Sequence, residues 1–194
     1  TRRTQFRFPE TSIGIYPGLG GIQRTPRICG IEAARFAFLG GNFLDAKSAA
    51  ALGLLTHLVD PSEVDQIVSA ISGSGKPSNK YPARPADESH PVAAFALAFY
   101  NDANIEALLA GNCPEGFEAE AKMVSRQLKS LSRTAPIALS MSSDLLNDAL
   151  LTGDNLQQGL ALELERLDDI FASTDALEGL SALIQGRRPN YTNN

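Results

Sequence analysis

The feature that most constrains the fold of this chain is a glycine-rich turn at residues 17–21, PGLGG. Its glycines permit positive φ angles and allow a second backbone or a ligand to approach closely. A helix that begins near Gly21 would point free amide groups at whatever lies in front of the turn, which favours anionic or carbonyl oxygens. The spacing matches neither of the usual glycine-rich phosphate-binding motifs. The turn is therefore either a simple strand-to-helix connection, which the spacing alone favours, or one wall of a ligand site.

Glu10 is the carboxylate nearest to this turn in the sequence. Residues 4–8 alternate between apolar and polar side chains, as in a half-buried strand, and Pro9 cannot continue a central strand. Glu10 therefore lies where the chain leaves a sheet, close to the apolar Tyr16. Partial burial there would suit a carboxylate for moving protons on and off a substrate. The alternative interpretation is that Glu10 only caps or pairs locally on a loop.

The composition indicates an ordinary globular protein. Its 194 residues suit one domain, or a piece of one, with 43% hydrophobic and 20% charged residues. A net charge of −5 predicts no general attraction to nucleic acid, and no run of sequence is long and apolar enough to predict a membrane span. Cys29 and Cys113 lack the spacing of a zinc site or a disulfide framework, which fits a reducing compartment and predicts a cytoplasmic location and no bound metal.

Helices are expected to dominate beyond the turn, as capping residues and the spacing of apolar positions indicate. They are predicted at residues 30–39, 46–52, 61–71, 91–100, 105–109, 117–131 and 136–151, as one long helix at 154–171, and at 176–184. A strand is predicted at residues 54–59. In the polar stretch 73–90, Lys76, Lys80 and Arg84 form a basic cluster, which is either a solvated tether or a lid that contacts the phosphates of a ligand.

The turn and its surroundings resemble the second signature region of the enoyl-CoA hydratase/isomerase family, also called the crotonase family. The similarity continues to residue 60 and returns near the C-terminus, so that it covers somewhat more than half of the chain. The residues that carry it are Pro9, Glu10, Gly14, Pro17, Gly18, Gly20, Gly21, Gln23, Arg24, Arg27, Gly30, Gly40, Asp45, Ala46, Ala49, Gly53, Leu58, Val59, Asp60, Glu163, Phe171, Asp175, Glu178, Gly179, Arg187, Arg188 and Pro189.

The resemblance implies a helix-rich α/β fold in four parts. Residues 1–60 are expected to be the C-terminal part of a crotonase-like β-β-α spiral, 61–72 a helix, 73–90 a polar linker or lid loop, and 91–194 a helical region. That helical region is expected to cover a CoA pocket and to form a homo-oligomer, either a trimer or a hexamer.

In this family the N-terminal half supplies most of the β-β-α turns, both amides of the oxyanion hole and a second acidic residue. These 194 residues are therefore expected to be part of a larger enzyme, for example one fused to a 3-hydroxyacyl-CoA dehydrogenase. Little or no activity is expected of them alone.

The resemblance also assigns a reaction and its residues. Glu10 is expected to deliver or remove the proton at Cα of a 2-enoyl-CoA during hydration, with the coenzyme A thioester as a substrate and no further cofactor or metal. The residues expected to contact the acyl-CoA are Pro17, Gly18, Leu19, Phe171 and Arg187.

Three alternatives stay open at this point. Enoyl-CoA isomerisation is one, and thioester hydrolysis of the 3-hydroxyisobutyryl-CoA hydrolase kind is another. The long segment after Asp60 favours the hydrolase, but hydrolases have an aspartate directly after the proline of the turn, where this chain has Gly18. The third is a non-catalytic oligomerisation or docking module. That module predicts exposed apolar stripes and a solvated Glu10, whereas an enzyme predicts Glu10 beside a cavity open to an acyl chain.

Overall fold

A computed structural model describes residues 1–74 and 83–193 of the chain. Strands β1 (Gln5–Phe6) and β2 (Leu44–Asp45) pair antiparallel, and 3-10 helices lie at Glu10–Ile13 and Pro61–Glu63. The α-helices are α1 (Gly21–Cys29), α2 (Ile31–Phe38), α3 (Ala46–Ala51), α4 (Val64–Gly73), α5 (Pro91–Phe99), α6 (Ile105–Leu109), α7 (Ala121–Leu131), α8 (Pro136–Leu151), α9 (Leu156–Glu165), α10 (Leu167–Ala172) and α11 (Thr174–Gln185). The predicted helix-rich α/β class is confirmed.

The hydrophobic core lies where α1, α2, α5 and α8 meet. Helix α2 is buried almost all round, because its alanines and phenylalanines face neighbours on every side. Phe36 of α2 meets Phe95 and Tyr100 edge to face, with ring centroids 6.4 Å and 5.8 Å away. Edge-to-face packing aligns the positive ring edge with the negative ring face, which stabilises such pairs beyond their buried area.

Helix starts follow the predicted capping chemistry in two places. Asp45 caps α3, since its Oδ1 accepts a 2.8 Å hydrogen bond from the Ser48 amide. Asp60 and Glu63 form a capping box ahead of α4. The cap of α11 is Ser173, whose Oγ accepts a 3.1 Å bond from the Ala176 amide. Helix α11 therefore begins at Thr174, two residues before the start that the sequence predicts at residue 176.

The strand predicted at residues 54–59 is wrong. The segment is irregular, and the Leu54 amide donates to the oxygen of Ala49 to close the end of α3. A strand needs a neighbouring edge with which to exchange main-chain hydrogen bonds, and in the described residues β1 and β2 pair only with each other. The strand predicted at 4–8 is correspondingly reduced to Gln5–Phe6.

The long helix predicted at 154–171 is also wrong, because it is two helices. Arg166 ends α9 and begins α10, with φ −86° and ψ −3°. No glycine or proline lies at the break, and the apolar spacing runs through it unchanged. Beyond the break, Leu167 and Ile170 of α10 line the same cavity as Glu10.

The predicted basic cluster falls partly outside the described residues, since Lys76 and Lys80 lie there. The third member, Arg84, donates a 3.0 Å bond from Nε to the oxygen of Gly53. The division of the chain at residues 60, 72 and 90 stays a prediction. Among the described residues no helix is both long and apolar enough to cross a membrane.

Helix α11 packs directly against the 3-10 helix that carries Glu10. Gly14, at φ 88°, lies so close that a Cβ there would be 2.7 Å from Cα of Ala176. A Cβ on Gly179 would collide with the carbonyl group of Ile13. Two glycines thus allow α11 to support the short element from which Glu10 projects.

Candidate active site

The carboxylate of Glu10 borders an apolar cavity of about 260 Å³. Glu10 is half-buried, and its Oε2 is buried with no hydrogen-bond partner among the described residues. A carboxylate oxygen in that position is removed from water without receiving a hydrogen bond from the described residues, which is energetically unfavourable. The cavity is lined by Glu10, Ile15, Tyr16, Gly18, Leu19, Leu167, Ile170 and Phe171.

The glycine-rich turn forms one wall of this cavity. Leu19 and Gly20 both have left-handed backbones, with φ 56° and 77°, and the Gly21 amide donates to the oxygen of Gly18 over 3.0 Å. Helix α1 begins at Gly21, as the sequence predicts. The side chain of Leu19 is fully exposed at the mouth of the cavity. Leucine rarely adopts this conformation, so the surroundings must hold the turn in place.

Helix α10 forms the opposite wall. Ile170 is completely buried, whereas Phe171 is 52% exposed and Leu167 is 40% exposed. The three side chains lie at spacings of three and four, so they share one face of the helix. The wall is therefore closed at Ile170 and open at Phe171, which leaves an apolar entrance.

Tyr16 and Glu163 connect the turn to α9. The Tyr16 hydroxyl donates a 2.6 Å bond to the main-chain oxygen of Glu163, and the Gly20 amide donates a 2.7 Å bond to Oε1 of Glu163. Burial raises the pKa of the Glu163 carboxyl, although the Gly20 hydrogen bond and the Arg24 charge oppose this. Burial, and then the Glu163 charge, raises the pKa of Tyr16 to about 12. Tyr16 is therefore a neutral hydrogen-bond donor throughout the physiological range.

The structure brings together most, but not all, of the residues predicted to form the site. Glu10, Gly18, Leu19 and Phe171 line the same cavity. Pro17 is buried within the turn and is not among the lining residues.

Arg187 lies apart from the cavity, because its guanidinium pairs with both carboxylate oxygens of Glu178 at 2.6 Å and 2.7 Å. Hydrogen bonds from Arg187 and the Asn190 amide lower the pKa of Glu178 to about 2.

Sequence reasoning missed Leu167, Ile170 and the contacts of Glu163. The sequence places Leu167 in the core stripe of one continuous helix and does not mark Ile170 as a site residue. Their common face in α10 is visible in the spacing, but its partner in the fold lies about 150 positions away and leaves no local signal. In the described part of the chain no three His, Cys, Asp or Glu side chains are grouped to hold a metal ion.

Comparison with known proteins identifies the family. The sequence matches the family described as Enoyl-CoA hydratase/isomerase over residues 1–194. It is 26% identical over 185 residues to Enoyl-CoA isomerase/hydratase fer4 of Mycosarcoma maydis, which covers 95% of this chain and 46% of that protein. It is 26% identical over 195 residues to the mitochondrial 3-hydroxyisobutyryl-CoA hydrolase of Xenopus laevis, which covers 95% of this chain and 50% of that protein. The chain thus spans about half the length of these curated relatives.

Solved structures show the same fold. A carnitinyl-CoA dehydratase from Mycobacterium thermoresistibile superposes with a TM-score of 0.68 and 23% identity, over 97% of this chain and 54% of that one. An enoyl-CoA hydratase from Rhodobacter sphaeroides 2.4.1 superposes with a TM-score of 0.65 and 22% identity, over 98% of this chain and 55% of that one. The fold is consistent with a C-terminal portion of a crotonase-like protein, and the match along all 194 residues shows that this chain belongs to the enoyl-CoA hydratase/isomerase family.

Proposed function

We propose that this chain supplies the proton-transfer carboxylate and part of the acyl pocket of an enzyme that hydrates 2-enoyl-CoA. The observation that carries the proposal is Oε2 of Glu10, buried without a partner among the described residues at the edge of an apolar cavity. A general acid or base must be free to exchange a proton with the substrate, and a carboxylate already occupied by arginine or lysine would not be. The non-catalytic alternative predicts a solvated Glu10, which fits this observation poorly. It also predicts exposed apolar side chains, and α9 to α11 do carry several of these.

The size of the cavity suits the acyl end of a thioester. Ligand pockets for whole drug-sized molecules occupy roughly 300–1,000 Å³, and this cavity is slightly smaller, with apolar walls on α10 and on the turn. The coenzyme A moiety would extend from the open side at Phe171. In this proposal the acyl-CoA is the substrate, and no separate cofactor is required.

Hydration requires a proton at Cα and a hydroxyl at Cβ. Glu10 would give the proton to Cα, or remove it in the reverse direction. Charge that develops on the thioester oxygen needs hydrogen-bond donors already directed at it. By family resemblance those donors, together with the second acidic residue that holds the water, come from polypeptide outside these 194 residues.

Two other reactions remain alternatives to hydration. Glu10 is the only carboxylate among the described residues that line the cavity, and a single base can in principle move a proton between two carbons, as enoyl-CoA isomerisation requires. The similarity to a 3-hydroxyisobutyryl-CoA hydrolase favours thioester hydrolysis. Against it, Gly18 supplies no carboxylate at the position where such hydrolases have an aspartate.

The test replaces Glu10 by glutamine in the complete polypeptide that contains these residues. Crotonyl-CoA, a 3-enoyl-CoA and 3-hydroxyisobutyryl-CoA are assayed in parallel for hydration, isomerisation and thiol release. Glu10→Gln should lower kcat for crotonyl-CoA about 10²- to 10⁴-fold without changing the circular dichroism spectrum. Glu118→Gln, on the exposed surface, is the matched control and should leave kcat unchanged. Full activity in Glu10→Gln would refute the proposal.

A second experiment tests whether these 194 residues contain the whole active site. If the oxyanion donors lie outside them, the isolated 194 residues should hydrate crotonyl-CoA negligibly. Substantial hydration by the isolated residues would show that the whole site lies within them, contrary to the proposal.

We also propose that the C-terminal helices form a homo-oligomer, either a trimer or a hexamer. Several large apolar side chains of α9 to α11 are exposed, among them Leu177 at 69% and Ile184 at 87%. Soluble monomers rarely leave such groups together in water. Light scattering during size-exclusion chromatography should give a multiple of the monomer mass, and Ile184→Glu should reduce it. A monomeric parent protein would contradict this proposal.

A further inference from the structure

Glu163 binds both ends of the turn that forms the cavity wall. Its Oε1 accepts the 2.7 Å bond from the Gly20 amide, and its main-chain oxygen accepts the 2.6 Å bond from the Tyr16 hydroxyl. Both bonds are buried, and about 145 positions separate their partners in the sequence. A single residue of α9 therefore fastens segment 16–20 at its start and at its end.

This segment needs such support. Leu19 has a left-handed backbone, which costs a residue with a Cβ conformational energy, and its fully exposed side chain gains little from packing. Gly20 lies so close to α9 that a Cβ there would be 2.8 Å from Cδ2 of Leu160. The turn therefore packs directly against α9, and the hydrogen bond from the Gly20 amide to Glu163 holds the two together.

The Glu163 side chain is well suited to hold an amide. It is only 4% exposed, so water does not compete for its Oε1. Its Oε2 is buried and has no hydrogen-bond partner among the described residues. Arg24, whose charge acts on Glu163, donates its own hydrogen bond to the oxygen of Leu19 over 2.9 Å, so it supports the same turn.

We propose that Glu163 is a positioning residue for the Glu10 site, and that its carboxylate oxygen holds the left-handed turn which places Gly18 and Leu19 along the acyl cavity. Glu163 does not line the cavity itself. It acts through the main chain of Gly20 on the wall that faces α10. This inference rests on the proposed acyl-CoA function, but the contact on which it depends can be tested separately.

The kinetic test compares three variants of the complete polypeptide with crotonyl-CoA. Glu163→Gln keeps an oxygen that can accept from Gly20, and kcat/KM should stay within about threefold of the parent value. Glu163→Ala removes the acceptor, and kcat/KM should fall about tenfold or more, mainly through KM, because the cavity wall is released. Glu165→Ala, an exposed glutamate of the same helix, should change neither constant.

A spectroscopic test does not depend on activity. In protein labelled with ¹⁵N-glycine, the Gly20 amide proton should resonate downfield and should shift as Glu163 titrates. The midpoint should lie above the ordinary range of glutamate, because burial raises the Glu163 pKa more than Gly20 and Arg24 lower it. Tyr16, the other titratable group that faces Glu163, stays neutral in this range. Glu163→Gln should abolish the titration, and Glu165→Ala should preserve it.

Three outcomes would overturn the proposal. Unchanged kcat/KM in Glu163→Ala would show that the hydrogen bond between Glu163 and Gly20 does not affect the site. Equal losses in Glu163→Gln and Glu163→Ala would show that the charge of Glu163 matters rather than its acceptor oxygen. A Gly20 resonance that ignores Glu163 would refute the contact itself. If Glu163→Ala does not fold, Glu163→Asp replaces it, since one methylene fewer withdraws the acceptor from Gly20. Should Glu10→Gln remain active, the proposed function fails, but the Gly20 titration still tests whether Glu163 binds the Gly20 amide.

Discussion

The hydroxyl of Tyr191 donates a 2.7 Å hydrogen bond to the main-chain oxygen of Ser12, across 179 positions of the sequence. Ser12 belongs to the 3-10 helix that begins with Glu10. Asp175 holds the same tail, because its carboxylate accepts bonds from the amides of Thr192 and Asn193 at 2.8 Å and 3.1 Å. The C-terminal tail is thus connected directly to the element that carries the candidate catalytic carboxylate.

Tyr191→Phe should destabilise the protein modestly. It leaves the ring in place but deprives the Ser12 oxygen of its donor, which costs about 0.5–1.5 kcal/mol in the free energy of unfolding. In a chain of this size that corresponds to a fall in Tm of about 2–4 °C per kcal/mol. Thermal unfolding followed by circular dichroism measures it. Asn190→Ala, an exposed change in the same tail, is the control, and an equal Tm for Tyr191→Phe and parent would contradict the prediction.

Gly179→Ala should disturb the site more strongly. The new Cβ would collide with the carbonyl group of Ile13, so either α11 or the 3-10 helix of Glu10 must move. Overpacking of this kind costs about 1–3 kcal/mol. Gly73→Ala is the matched control, because no described residue lies within 4 Å of a Cβ there. Denaturant titration should show a lower midpoint for Gly179→Ala alone, and crotonyl-CoA hydration by the complete polypeptide should fall with it. A midpoint as high as that of Gly73→Ala would show that the contact is not tight.

The sequence predicts elements whose signals are local. Asp45 at the start of α3 and Gly21 at the start of α1 are found where capping chemistry and the glycine-rich turn place them. The apolar run at residues 54–59 carries the same kind of local signal, yet it forms no strand, because pairing depends on a neighbouring edge. The break at Arg166 carries no local signal either, since no glycine or proline interrupts the helical pattern there.

The candidate site likewise contains residues that local sequence patterns predict and residues that they do not. Glu10, Gly18 and Leu19 lie within ten positions of one another, so the turn chemistry and the family resemblance are enough to group them in one site. Leu167 and Ile170 complete the cavity from a distant helix, and no local pattern marks them. The contact between Glu163 and Gly20 is likewise set by the docking of α9.

The pair formed by Glu178 and Arg187 predicts a specific pH dependence. The folded protein lowers the Glu178 pKa from its ordinary value of 4.5 to about 2. The stabilisation is therefore complete above about pH 4.5 and is lost as the pH falls toward 2. Arg187→Gln should lower Tm at pH 7 by a small amount, because the pair is exposed and screened by salt. The difference in Tm should vanish only below about pH 2.

Arg188→Gln provides the control for this series. Arg188 is exposed, and Glu178 pairs with its neighbour Arg187 instead, so the Tm difference of Arg188→Gln should not follow this titration.

Measured in the complete polypeptide, the Arg187→Gln variant also tests the predicted contact with acyl-CoA. Since Glu178 occupies the guanidinium, KM for crotonyl-CoA should change less than about twofold. A large rise in KM would show that Arg187 exchanges Glu178 for the substrate.

Leu19→Asn should separate stability from substrate binding. The leucine side chain is fully exposed and its φ is 56°, a left-handed conformation that asparagine adopts more readily. The free energy of unfolding should therefore stay the same or rise by up to about 1 kcal/mol. If Leu19 contacts the acyl chain at the mouth of the cavity, the same change should raise KM for crotonyl-CoA by roughly four- to fifteenfold, since burying one or two methylene groups is worth about 0.8 kcal/mol each.

The control for Leu19→Asn is Leu151→Asn, which removes a leucine side chain that is 85% exposed at the end of α8 and outside the cavity lining. Leu151→Asn should leave KM unchanged. If both variants bind substrate like the parent, the turn shapes the cavity through its backbone alone. If Leu19→Asn instead lowers Tm while Leu151→Asn does not, the leucine is held by contacts with a part of the protein beyond these residues, and its exposure here is that of an interface.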